Sequence, residues 1–153
     1  MAVEQQHSKS KGAAGSESRP RILVVEDDGV SRLLITYSLR QHGFDTIDAP
    51  HGTEAIRILE EDRSIDLVFT DVCLPGNIDG VGVVRWVFAN RPDLPVILGT
   101  GSALGRKSGM LVKPHRTFLK PYNIPELVAH IRSLAPGAWL SKPPERPKTR
   151  KAG

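Results

Sequence analysis

The sequence predicts an α/β fold, a doubly wound parallel sheet with helices on both of its faces. Three observations carry that prediction. Short β-type runs recur five times between residues 21 and 121, several of them continuously apolar, which suits strands buried on both faces. Segments with apolar residues at helical spacing separate the runs. Short connections punctuated by Gly and Pro join them, and strict strand–helix alternation points to a layered sheet.

RILVVED, from Arg21, is the first strand, with Glu26, Asp27 and Asp28 at its carboxyl end. GVSRLLITYSLRQHG is the first helix, with Val30, Leu33, Leu34, Tyr37 and Ser38 on the face expected to be buried and His42-Gly43 as its stop. FDTIDA is the second strand, and GTEAIRILEED the second helix, with Ala55, Ile56 and Leu59 inward. SIDLVFTD is the third strand. VGVVRWVFANR is the third helix, with Trp86 and Phe88 as packing residues. LPVILGT is the fourth strand. The glycine-rich GSALGRKSGMLVKPHR that follows predicts a short or irregular fourth helix. TFLKP is the fifth strand, and NIPELVAHIRSL a fifth helix with Pro125 in its first turn.

The chain has 153 residues, enough for one ordinary domain, and its 39% hydrophobic and 25% charged content is that of a globular protein. No apolar run approaches the roughly 18–20 residues needed to span a bilayer, and the N-terminus has no signal-peptide core. The single cysteine, Cys73, excludes an internal disulfide framework and suits a reducing compartment, so the expected location is the cytoplasm. Residues 1–19, rich in Ser, Gly, Lys and Glu, are expected to be disordered, residues 20–134 to form the domain, and residues 135–153 to form a basic Pro-rich tail. The overall charge of +4 belongs to that tail, which carries five Lys/Arg and one Glu. Residues 21–134 hold 13 Lys/Arg against 14 Asp/Glu. The basic stretch KPPERPKTRKAG at its end lacks interleaved aromatics and no helix-turn-helix pattern follows residue 134, which argues against a nucleic-acid arm. Trp139, earlier in the tail, either folds back on the domain or anchors a partner.

For five strands the natural order is the flavodoxin-like 2-1-3-4-5, which makes strands one and three neighbours. Glu26, Asp27 and Asp28 then lie at the carboxyl end of strand one, Asp71 at that of strand three, Thr100 at that of strand four and Lys120 at that of strand five. Ligands in such sheets bind beyond these strand ends. Crowded carboxylates stay ionised together around a divalent cation, and oxygen-only ligation suits Mg²⁺. A carboxylate, Mg²⁺, a lysine and a hydroxyl around one gap describe a phosphoryl site. Asp28 is open to two roles, a cap for the first helix or a metal ligand.

These residues make the chain resemble the receiver domain of bacterial two-component response regulators. The resemblance runs from about Arg21 to Leu134 and rests on ILVVEDD, DLVFTDVCLPG, VILGTG and FLKPY, with a 44-residue step from Asp27 to Asp71. It implies that Asp71 is the phosphoacceptor. Glu26 and Asp27 would hold Mg²⁺ with Asp71 and the main-chain carbonyl of Cys73. Thr100 would bind the phosphoryl group, Lys120 would pair with its oxygen, and a cis peptide bond would precede Pro121. The implied partners are a histidine kinase or phosphotransfer protein and a downstream protein target, with no membrane. Self-association is expected through the face of helix four, strand five and helix five.

Three departures stand out. LPGNIDG is one residue longer than the commonest family pattern, the Thr100–Lys120 segment is shorter and richer in Gly, and Thr117 stands where the family often carries an aromatic switch residue. An aspartyl-nucleophile phosphatase of the haloacid-dehalogenase type is the competing enzyme reading. It needs an acid two residues after the nucleophile, where this chain has Cys73. A third reading is a nucleic-acid-binding protein acting through its basic tail.

Overall fold

The computed structural model describes residues 19–101 and 116–134. Among them run β1 (Arg21–Val25), α1 (Gly29–Gln41), β2 (Asp45–Ala49), α2 (Gly52–Glu61), β3 (Leu67–Asp71), α3 (Gly80–Asn90), β4 (Val96–Thr100), β5 (Arg116–Leu119) and α4 (Ile124–Ser133). The helix expected as the fifth is thus α4. The expected short fourth helix, the N-terminal tail up to residue 18, the Pro-rich tail and Trp139 lie outside the described residues.

All strand pairs are parallel, and the order is β2-β1-β3-β4-β5, as the alternation predicts. Residues Ile22–Val25 and all of β3 and β4 are buried, whereas the edge strands β2 and β5 are only partly so. Because side chains alternate along a strand, each central strand feeds two cores. Leu23, Val68 and Leu98 meet Ala55, Leu59, Val83 and Val87 of α2 and α3. Ile22, Phe69 and Ile97 meet Ile35 and Leu39 of α1 and Leu127 and Ile131 of α4. Trp86 and Phe88 pack at the margin of the first core.

The buried face of α1 differs from the expected one. Val30, Leu33, Leu34 and Tyr37 are 60–68% exposed, and the residues turned inward are Ile35, Thr36 and Leu39. The reason is Thr36. Its hydroxyl donates to the carbonyls of Arg32 (2.9 Å) and Leu33 (3.0 Å), so it enters the core already hydrogen-bonded. Periodicity counts threonine as polar and therefore favours the other face. In α2 the same kind of shift is smaller: Ile58 is buried with Ala55 and Leu59, and Ile56 is only partly so.

Candidate functional site

Strand register brings the site together. Val25 pairs with Thr70, so Glu26 and Asp71 emerge side by side from β1 and β3. Asp71 pairs with Gly99, and Thr100 with Leu119, which places Thr100 and then Lys120 along the same edge. The predicted residues of the four strands therefore converge. Lys120 Nζ lies 2.7 Å from Asp71 Oδ2 and 2.9 Å from Glu26 Oε2. The backbone N–H of Cys73 donates to Asp71 Oδ1 at 3.2 Å. The peptide bond before Pro121 is cis, as the resemblance implies.

Burial sets the electrostatics. Glu26 is 2% exposed, Asp71 6% and Thr100 1%, while Asp27 and Cys73 are exposed. Burial pushes the Glu26 carboxyl above its usual range, an effect only partly offset by the bonds from Lys120 and the Asp28 N–H. Burial alone would lower the Lys120 ammonium, but its bonds to Asp71 and Glu26 outweigh that and hold it above its usual range. Carboxylate oxygens of Glu26, Asp27 and Asp71 all lie within 4.8 Å of one another. One ammonium cannot neutralise three carboxylates, and the donor set is oxygen-only, so the residues fit a hard divalent cation.

The supporting loops explain features that the motifs alone leave open. Asp28 caps α1, its carboxylate accepting from the Ser31 N–H at 2.7 Å, and it does not join the acidic trio. Asp79 caps α3 through the Gly82 N–H at 2.8 Å. Gly80 then packs against the backbone of Asp71: a Cβ there would lie 2.7 Å from the Asp71 carbonyl carbon and nearer still to its oxygen. The longer LPGNIDG loop places Ile78 against Gly52 at the start of α2 and into the edge of the core. Thr117 is partly buried on β5.

Sequence reading did not single out Gly99 and Tyr122. The Tyr122 ring sits over Gly99, where a Cβ would lie 2.7 Å from its Cζ atom, and meets Phe69 edge-on with centroids 5.1 Å apart. The available signal was a glycine interrupting an otherwise apolar strand, together with an aromatic two residues after the lysine.

Comparison with known proteins agrees with this geometry. A profile of the response regulator receiver domain matches residues 22–132, and the chain belongs to that family. It is 36% identical over 121 residues to the DNA-binding response regulator MtrA of Mycobacterium tuberculosis H37Rv, covering 75% of this chain and 50% of that protein. It is 30% identical over 125 residues to a probable transcriptional regulatory protein of a Picosynechococcus strain, covering 76% and 49%. The chain thus spans about half the length of these curated relatives. Among solved structures it resembles the response regulator TrrA of Thermotoga maritima in complex with Mg²⁺ and BeF, at 28% identity and a TM-score of 0.71, covering 76% of this chain and 99% of that one. No helix among the described residues is long and apolar enough to cross a membrane.

Proposed function

We propose that this protein is a phosphoacceptor switch of a two-component phosphorelay, with Asp71 as the residue modified. The observation that carries the reading is Asp71 at a strand end, 6% exposed, bonded to Lys120 and grouped with Glu26 and Asp27. A carboxylate oxygen of Asp71 attacks the phosphorus of a donor phosphohistidine. The P–N bond breaks, its electron pair stays on the imidazole, and that nitrogen takes up a proton. Lys120 follows the transferred group by exchanging its Asp71 partner for a phosphoryl oxygen, and the Thr100 hydroxyl donates to another. Glu26, Asp27, Asp71 and the Cys73 carbonyl would hold Mg²⁺, which when bound supplies positive charge against the phosphoryl oxygens.

The donor is a histidine kinase or phosphotransfer protein, and the modified surface is read by a downstream protein partner, both in the cytoplasm. The exposed side chains of Val30, Leu33, Leu34 and Tyr37 support a protein donor. They lie beside a groove lined by Ser31, Leu34, Lys120, Pro121 and Tyr122, so a partner resting on α1 reaches the rim of the site. Self-association through β5, α4 and the segment before them would be a further consequence of phosphorylation. The enzyme alternative, a phosphatase turning over many substrates, is disfavoured by Cys73 in the place of its general acid.

Intact mass after incubation with Mg²⁺ and acetyl phosphate tests the reading. Wild type gains about 80 Da, one phosphoryl group, and Asp71→Asn gains nothing. No gain in wild type, or an equal gain in the variant, rejects it. Repeated turnover of a generic phosphoester would favour the enzyme instead.

A further inference from the structure

Tyr122 Oη is buried and, among the described residues, has no hydrogen-bond partner. Leaving a buried hydroxyl unpaired is destabilising, so its position needs a reason. The ring is held by Phe69 on β3, two residues before Asp71 and on the same face by strand alternation. Its hydroxyl end lies over Gly99, the residue that pairs with Asp71 across the sheet, and only a glycine leaves room for it there. Burial and then the charges of Asp71 and Glu26 push the phenol up, so it remains a neutral donor beside an anionic site. In the chain, Tyr122 stands between Lys120-Pro121 and Asn123, whose side chain caps α4 by accepting the Glu126 N–H at 3.1 Å.

We propose that Tyr122 is a positioning residue that senses the state of Asp71. Its hydroxyl, an unmet donor among the described residues, gains an acceptor, an oxygen of the modified Asp71 side chain, when a phosphoryl group is added. Phosphorylation adds roughly −1.5 to −2 charge units beside that donor. The new bond fastens the ring over Gly99 and, through Asn123, fixes the start of α4. This coupling serves a receiver whose Thr117 is too short to report by turning a ring. The inference rests on the phosphoacceptor reading and adds a mode of regulation to it.

Titration with beryllofluoride in the presence of Mg²⁺, followed by thermal unfolding, tests the two separately. Wild type gains in Tm on titration. Tyr122→Phe has the higher Tm of the two before addition, because the unpaired hydroxyl is gone. It then binds beryllofluoride about tenfold more weakly, the value of one lost hydrogen bond to a charged group. A purely structural hydroxyl would move both states in one direction. Gly99→Ala, whose methyl displaces the ring, weakens beryllofluoride binding in the same sense. Equal or tighter binding by Tyr122→Phe, or a lower starting Tm, overturns the role of Tyr122 and leaves the phosphoacceptor reading standing. No gain in wild type removes both.

Discussion

At the scale of single residues, the site depends on backbone approach as much as on charged groups. Gly80 is the clearest instance, since α3 starts against the backbone of Asp71 and no side chain fits between them. Gly80→Ala must push either α3 or β3 aside. The expected loss is about 1–3 kcal/mol, as for other overpacked positions, measured by urea unfolding. The rate of mass gain with acetyl phosphate should fall with it, because Asp71 itself is displaced. The residues that carry charge were legible in the sequence, because Glu26, Asp27, Asp71 and Lys120 each end an apolar run. Gly80 was legible only as a helix boundary, and Tyr122 only as an aromatic two residues after the lysine, because the close backbone approach each one makes is set by tertiary packing.

Elements show where periodicity succeeds and where it misleads. Strands β1, β3 and β4 read directly as apolar runs, because a parallel sheet covered on both sides demands apolar residues at every position. Helix α1 carries two apolar faces, and the sequence favours the one that remains exposed. Leu39→Ala should therefore lose about 2–5 kcal/mol of stability. Leu33→Gln, on the exposed face, should stay within about 0.5 kcal/mol of wild type in the same urea measurement. Equal losses would mean that α1 is rotated from its described position. The α2–β3 connection makes a second prediction. Ser64 donates to Asp62 through its hydroxyl (2.6 Å) and its N–H (2.8 Å), and Arg21 adds a bond at 2.9 Å. These bonds hold the Asp62 carboxyl below its ordinary 3.8, with the Ser64 hydroxyl the largest cause. A depressed carboxyl contributes stability that is present above the ordinary value and is lost as pH falls through the folded one. Asp62→Asn should accordingly flatten the acid branch of a Tm-against-pH curve and leave its slope near neutrality unchanged.

For the whole molecule, the site edge concentrates negative charge that folding alone does not neutralise. Residues 21–134 carry a near balance of charge, yet three carboxylates share the neighbourhood of Lys120. A cation bound only by the folded state stabilises it by mass action, about 2.7 kcal/mol at a hundredfold excess over Kd. Mg²⁺ should thus raise Tm by several degrees. Asp27→Asn, at an exposed position, should leave the metal-free Tm nearly unchanged and abolish the rise; an undiminished rise would place the ion elsewhere. The division between chain and fold follows from what each interaction requires. Apolar runs, helical spacing and the acids and lysine at strand ends are local facts, so the α/β class and the acidic residues of the site were already readable along the chain, and the strand order followed from the commonest arrangement of five such strands. Tertiary packing alone decided which face of α1 turns inward, that Asp28 caps a helix instead of joining the acidic trio, and that Tyr122 rests on Gly99. Each of those outcomes is a competition between two locally acceptable arrangements, settled by which polar group finds a hydrogen-bond partner and which backbone leaves room.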